Sequence, residues 1–131
     1  MRLCFDIETN GLLDELSVIH IIAAKDVDTG QQFDFKPDQI DQGLELLAKA
    51  DVLIAHNGIS FDIPAINKLY PTWKPKADVL DTLIMSRLIW TELIDQDKAG
   101  EFEGSNELGP KLQGSHSLRA WISPQNIQRR I

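Results

Sequence analysis

An apolar run that ends in two acids one residue apart, Leu3-Cys4-Phe5-Asp6-Ile7-Glu8, constrains this chain more than any other segment. In a strand, residues i and i+2 point to the same face, so this spacing stacks Asp6 and Glu8 side by side among apolar neighbours. Adjacent carboxylates in a partly dry site raise each other's pKa, and a divalent cation removes that conflict. The pair therefore reads as a hard-metal site. The spacing alone is not distinctive in a chain with 20 acidic residues, because Asp26/Asp28, Asp95/Asp97 and Glu101/Glu103 share it. Those three pairs sit in polar, turn-like stretches and read as solvated acids. Only Asp6/Glu8 follows a buried-looking strand and precedes a turn signal, Thr9-Asn10-Gly11.

At 131 residues the chain is expected to form one domain with a real core. Its 43% hydrophobic and 25% charged composition is that of a globular protein. No apolar run approaches the roughly 20 residues that a membrane-spanning helix needs, and the opening Met-Arg-Leu-Cys-Phe-Asp does not resemble a secretory signal. Cys4 is the single cysteine, which rules out a disulfide framework within the chain. It is expected as a small core residue in a cytoplasmic setting. The net charge of −7 argues against coating nucleic acid by charge alone. It leaves room for binding at one metal-loaded cleft, where the ions supply the local positive field.

Hydrophobic periodicity gives the order of elements. After the first strand, Leu16 to Ala24 reads as a long central strand, and Asp28-Thr29-Gly30 turns the chain into a short alternating strand, Gln31 to Phe35. Together these predict a three-stranded antiparallel meander. Asp38, after Pro37, is placed to cap a helix through Ala50, with Ile40, Leu44 and Leu47 on one face. Asp51 to Ala55 reads as a strand buried on both faces. Ser60 is placed to cap a helix that ends near Tyr70-Pro71, with Pro64 tolerated in its first turn. Ala77 to Leu80 follows as a fifth strand, and Asp81 or Thr82 opens a helix through Trp90. The order βββαβαβα predicts an α/β sandwich with a five-stranded mixed sheet flanked by helices. Residues 1–94 are expected as its core, 95–114 as an irregular, glycine-rich loop, and 115–131 as a short helix and tail.

The second informative segment, His56 to Pro64, leaves the fourth strand and enters a helix. Asp62 thus falls near a helix N-terminus, where the dipole favours the ionised form. Taken alone it is a dipole-matched aspartate. Asp62 and the Asp6/Glu8 pair both fall at the ends of predicted neighbouring strands, where α/β sheets place their sites, so three carboxylates are brought within reach of one metal site.

These residues carry a family resemblance. Phe5-Asp6-Ile7-Glu8-Thr9 resembles the first motif of the proofreading 3′→5′ exonucleases, and Asn57-x3-Phe61-Asp62 resembles the second. Val79-Leu80-Asp81-Thr82-Leu83 and Gly114-Ser115-His116-Ser117-Leu118-Arg119-Ala120-Trp121 resemble the exonuclease domain of the family A DNA polymerases of short-tailed bacteriophages. The similarity runs from residue 2 to about residue 122.

The resemblance implies a ribonuclease-H-like fold, truncated at its C-terminal end, and two-metal hydrolysis with Mg²⁺ or Mn²⁺. Asp6 would bridge the ions, Glu8 would help hold the one that generates hydroxide, and Asp62 would serve the other. Thr9 would touch the terminal nucleotide through its backbone, and Asn57 and Phe61 would place that nucleotide or shape its pocket; Phe61 reads equally as core. The substrate would be a single-stranded DNA 3′ end, with nucleoside monophosphates released. The family also uses a fourth carboxylate in a later Tyr-x3-Asp or His-x4-Asp segment. Here the last aspartate is Asp97, the one tyrosine is Tyr70, and Trp121 stands five positions after His116. That motif is absent, and Glu101, Glu103 and Glu107 are weak substitutes. Two expectations follow: an enzyme, or half of one completed by a polypeptide that supplies the missing motif, and alternatively a non-catalytic module that retains metal or nucleic-acid binding.

The remaining polar and aromatic residues read as structural. His20 is expected as a core or edge histidine, His56 as a buttress of the turn, and His116 as a helix-start residue. Trp73, Trp90 and Trp121 read as packing, Arg87 as solvent-facing, and Arg129-Arg130 as too short a basic run for a DNA patch.

Overall fold

The computed structural model describes residues 1–100 and 109–121, and Glu101, Glu103, Glu107 and Arg129-Arg130 lie outside the described residues. Five strands form one mixed sheet in the order β3-β2-β1-β4-β5. They are β1 (Arg2–Thr9), β2 (Ile19–Asp26), β3 (Gln32–Phe35), β4 (Val52–Ala55) and β5 (Val79–Asp81). The predicted meander is present: β1 pairs antiparallel with β2, and β2 with β3. β4 and β5 then add in parallel on the other side of β1. Between β3 and β4 lies α1 (Ile40–Lys49), preceded by a short 3-10 turn at Pro37–Gln39; between β4 and β5 lies α2 (Asp62–Leu69).

β1 sorts its side chains by strict alternation. Leu3, Phe5 and Ile7 are buried, whereas Arg2, Cys4, Asp6 and Glu8 are exposed on the opposite face. The registered partners of the buried set, Ala24 and Ile22 on β2 and Leu53 on β4, continue the core across the sheet. Ile40, Leu44 and Leu47 of α1 close over it, as their spacing predicts, and so do Ala65 and Ile66 of α2. α1 approaches the sheet through Gly43, where an added Cβ would stand 2.9 Å from the Phe35 ring and 3.0 Å from Ile22. Trp73 is a packing residue, half-buried against this core with its ring N–H donated to the Leu44 carbonyl at 2.9 Å.

Four local expectations differ from the structure. Cys4 is exposed rather than a core residue, because the alternation that buries Leu3 and Phe5 turns it outward with Asp6. β4 is fully buried on one face only, with Val52 and Ile54 half-exposed. Ser60 does not cap α2: the helix starts at Asp62 with Phe61 before it, because the turn ahead is closed by backbone bonds. Finally, part of the stretch expected as irregular loop is helical. Leu93–Ala99 forms α4, ended by Gly100 at a left-handed φ of 71°.

The chain divides into two compact units, Met1–Thr82 and Leu83–Ile131. α3 (Thr82–Ile89) leads into the second unit, which also holds α4 and a short α5 (Leu118–Trp121). Within that unit the Gly-Ser-His-Ser run is structural. His116 Nδ1 meets the buried Ser86 hydroxyl at 3.0 Å, and the Gly114 amide donates to the buried Asp97 carboxylate at 2.8 Å. Trp90 and Trp121 pack with ring centres 4.9 Å apart. Among the described residues, no helix is long and apolar enough to cross a membrane.

Truncation of Leu53, whose side chain is fully buried on β4 beside the central strand, tests the packing. Leu53→Ala should cost about 2–5 kcal/mol in denaturant unfolding, the range for a buried leucine that leaves a cavity. A cost below about 1 kcal/mol would place the core elsewhere.

Candidate functional site

The candidate site forms where β1 and β4 part. Their parallel pairing runs only from Arg2↔Val52 to Cys4↔Ile54, after which β4 ends at Ala55 and the chain turns away. The Ile7 amide, beyond the last β4 partner, donates instead to Asp62 Oδ1 at 3.2 Å. That bond joins residues 55 apart in sequence and brings the first turn of α2 against the second half of β1. Asp62 is only 3% exposed there. Asp6 precedes the donating amide in the strand, and Glu8 follows it on the same face as Asp6. The sheet thus places its acids at the C-terminal ends of parallel strands, the usual position for α/β sites.

The turn between β4 and α2 is compact. The Ser60 and Phe61 amides both donate to the Asn57 carbonyl, at 3.2 and 3.0 Å, and the Ile63 amide donates to the Gly58 carbonyl at 2.9 Å. Asn57 takes a left-handed φ of 65°, the only non-glycine residue among those described to do so. Gly58 is required by space: a Cβ there would lie 2.4 Å from that of Ala55. Phe61 is half-buried against the core. On the β1 side the pairing with β2 slips between Glu8 and Thr9, and Thr9 Oγ1 donates to the Gly11 carbonyl at 2.8 Å, closing the next turn. Such irregularities are frequent where a strand re-aims side chains beside a site.

Two residues at the end of β5 complete the neighbourhood. The Asp81 carboxylate, 4% exposed, accepts from the Asn57 amide at 2.9 Å and from the Ile59 amide at 3.1 Å. Thr82 Oγ1 donates to the Ala55 carbonyl at 3.4 Å and is hydrogen-bonded to His56 Nδ1 at 2.9 Å. His56 is therefore the buttress its position predicts. Asp81 was expected as a helix opener and within the Val79-to-Leu83 segment that carries the resemblance, and neither reading ties it to amides 22 and 24 positions earlier. His20 is exposed on β2, and Arg87 is exposed on α3.

Electrostatics follows from this crowding. Burial, and then the charge of Asp6, push the Asp62 pKa up to about 6. Hydrogen bonds from the Ile7 and Asp62 amides oppose the shift without cancelling it. The helix N-terminus alone would favour ionisation, so here desolvation outweighs the dipole. The Asp6 pKa is also raised, first by burial and then by Glu8, while the Ile7 amide and His56 pull it down. The Cys4 thiol on the same face is raised by burial and by Asp6.

Asp6 and Asp62 thus meet around one amide. Two residues of strand advance the chain by about 7 Å, so Glu8 stands one step further along. Among the described residues no three His, Cys, Asp or Glu side chains are gathered to hold one ion between them. The donor set still fits a hard divalent cation, being oxygen only and carrying negative charge that nothing on the same face offsets fully. A cation there would offset the burial and the Asp6 charge that together raise Asp62.

Comparison with known proteins agrees with this picture. A profile of the RNase_H superfamily matches residues 3–121. The chain is 32% identical over 126 residues to the DNA-directed DNA polymerases of Escherichia phage T7 and Enterobacteria phage T3. Each match covers 88% of this chain and 18% of the polymerase, so the chain spans less than a fifth of those relatives. The resemblance to a phage polymerase exonuclease domain is borne out. A solved structure described as the apo form of a nuclease shares the fold, with a TM-score of 0.52 at 20% identity over 95% of this chain and 57% of that one.

The raised Asp62 pKa gives a signed pH dependence. Its folded value of about 6 lies above the unfolded value of 3.8, so the native state holds its proton more tightly. Metal-free stability should be greatest below about pH 4 as far as this group is concerned, and fall as pH rises through about 6, by at most about 3 kcal/mol. Asp62→Asn should flatten that segment of the profile and raise metal-free stability at pH 7 in denaturant titrations. A profile unchanged by the substitution would show that Asp62 titrates normally.

Proposed function

The chain belongs to the RNase_H superfamily, and on that premise we propose that it is a metal-dependent 3′→5′ exonuclease domain acting on single-stranded DNA 3′ ends. The observation that supports this reading is the meeting of Asp62 and Asp6 around the Ile7 amide, with Glu8 on the same face. Asp6, Glu8 and Asp62 would hold Mg²⁺ or Mn²⁺. When bound, such ions supply a hydroxide nucleophile and stabilise charge on the phosphate oxygens.

The remaining roles belong to the chain's own groups. Thr9, at the slipped end of β1, presents backbone to the terminal nucleotide. Asn57 and Phe61 shape its pocket: Asn57 through its strained turn, and Phe61 by packing beneath that turn. The net charge of −7 disfavours a continuous duplex backbone and favours a frayed or single-stranded end. A partner polypeptide bearing a Tyr-x3-Asp helix would supply the fourth carboxylate. A second reading takes the same site as a module that binds metal or nucleic acid without turnover.

Metal binding and turnover are tested separately. Mn²⁺ at about 100 times its Kd should add about 2.7 kcal/mol and raise Tm visibly. Asp6→Ala should abolish that shift while raising metal-free stability, through relief of repulsion. An unchanged Tm in excess Mn²⁺ would remove the metal site. On a labelled single strand the chain should release nucleoside monophosphates slowly, several powers of ten below a four-carboxylate enzyme, each power being about 1.4 kcal/mol of barrier. Mn²⁺ should support more turnover than Mg²⁺, which demands near-ideal octahedral ligation. Addition of a Tyr-x3-Asp helix should raise the rate. Metal binding without turnover under any of these conditions would establish the second reading, and tight, metal-independent binding to blunt duplex would overturn the single-stranded-end reading.

A further inference from the structure

We infer that Asp81 is a positioning residue: its carboxylate splints the turn between β4 and α2 and so presets Asp62 against β1. The consequence for metal affinity rests on the nuclease reading above, whereas the positional role does not.

Each Asp81 oxygen takes a different amide. Oδ1 accepts from Asn57 and Oδ2 from Ile59, at 2.9 and 3.1 Å. A buried carboxylate is costly unless it is well hydrogen-bonded, and bonds to an ionised acceptor are roughly twice as strong as neutral ones. The arrangement is therefore a strong two-point clamp. These two bonds run backward by 24 and 22 residues, from the end of β5 into a turn that leaves β4.

The turn needs such a clamp. The left-handed Asn57 carries backbone strain and persists only where its surroundings over-determine it. Asp81 fixes the amide of that same residue. Thr82 adds a second hold one residue on, through the Ala55 carbonyl and the His56 ring. Asp62 follows Ile59 by three residues and reaches the Ile7 amide only if the turn keeps its present course. Ligand side chains must be held to about 0.5 Å by groups around them. Asp81, which is not among the acids of the metal site, holds the backbone that carries one of them.

The test compares wild type with Asp81→Asn, which keeps the shape of the side chain but offers one acceptor and presents an NH₂ group to the other amide. Amide exchange and chemical shifts are read by NMR without metal, and Mn²⁺ affinity is then read by thermal shift. In Asp81→Asn, with its circular dichroism unchanged, the Asn57 and Ile59 amides should lose protection. The Ile7 amide, which reports where Asp62 sits, should shift, while the Ile22 and Leu53 amides in the sheet stay as they were. Mn²⁺ affinity should fall by about tenfold or more, the usual loss for a group that orients a ligand.

A folded Asp81→Asn protein with an unmoved Ile7 amide would overturn the inference, as would unchanged Mn²⁺ affinity in a chain whose wild type binds the ion. If wild type binds no Mn²⁺, the metal reading fails, and the Ile7 amide alone then decides the positional role. Should Asp81→Asn not fold, wild type decides: Asn57 and Ile59 amides that exchange as fast as an exposed loop would overturn the clamp, and protection comparable to Ile7 would support it.

Discussion

The bond from the Ile7 amide to the Asp62 carboxylate is the contact around which the site is organised. It exists because β4 stops pairing with β1 after Cys4, leaving a strand amide that must find an acceptor once it is buried. A neutral acceptor would satisfy that amide as well as an acid does. Use of a carboxylate draws a second negative charge to within range of Asp6, in a place where burial already disfavours it. The result is an Asp62 pKa of about 6, a local cost to stability that tight packing of α1 and α2 on the sheet offsets. Proteins commonly place such costs where chemistry happens.

The rest of the first unit is arranged to make that cost sustainable. Strict alternation in β1 gives one face to the core and the other to Asp6 and Glu8, so the acids are displayed without weakening the packing behind them. The close approach of α1 at Gly43 and the crowding of Ala55 by Gly58 both depend on residues without a side chain. Polar contacts then fix the turn: backbone bonds within it, and Asp81 and Thr82 from β5. The rigid part is the sheet, and the site is carried on the loops at its end, the division of labour expected of α/β folds.

Much of this was legible in the chain. Apolar runs identified β1, β2 and β4, period-two alternation identified β3, and helical spacing identified the buried face of α1, because each pattern reports local geometry. The Asp6/Glu8 spacing and the Asn57-to-Asp62 segment were legible for a different reason: they match motifs whose residue order reflects a shared site. Element ends were less legible. Ser60 has the chemistry of a cap, yet backbone bonds closed the turn and α2 started two residues later. Leu93–Ala99 carries enough polar residues to read as loop, and buries Leu93 and Asp97 as a helix.

The amino-acid sequence by itself determined the order of elements along the chain, the family and the candidate acids, all of which depend on local periodicity or on motif order. Only the tertiary structure decided which groups meet. That Asp62 reaches the Ile7 amide, that its carboxyl titrates near pH 6 rather than below 4, and that Asp81 clamps a turn more than 20 residues upstream are not encoded in spacing. They follow from where β4 ends beside β1, because burial and through-space charge depend on distances that the linear chain does not carry.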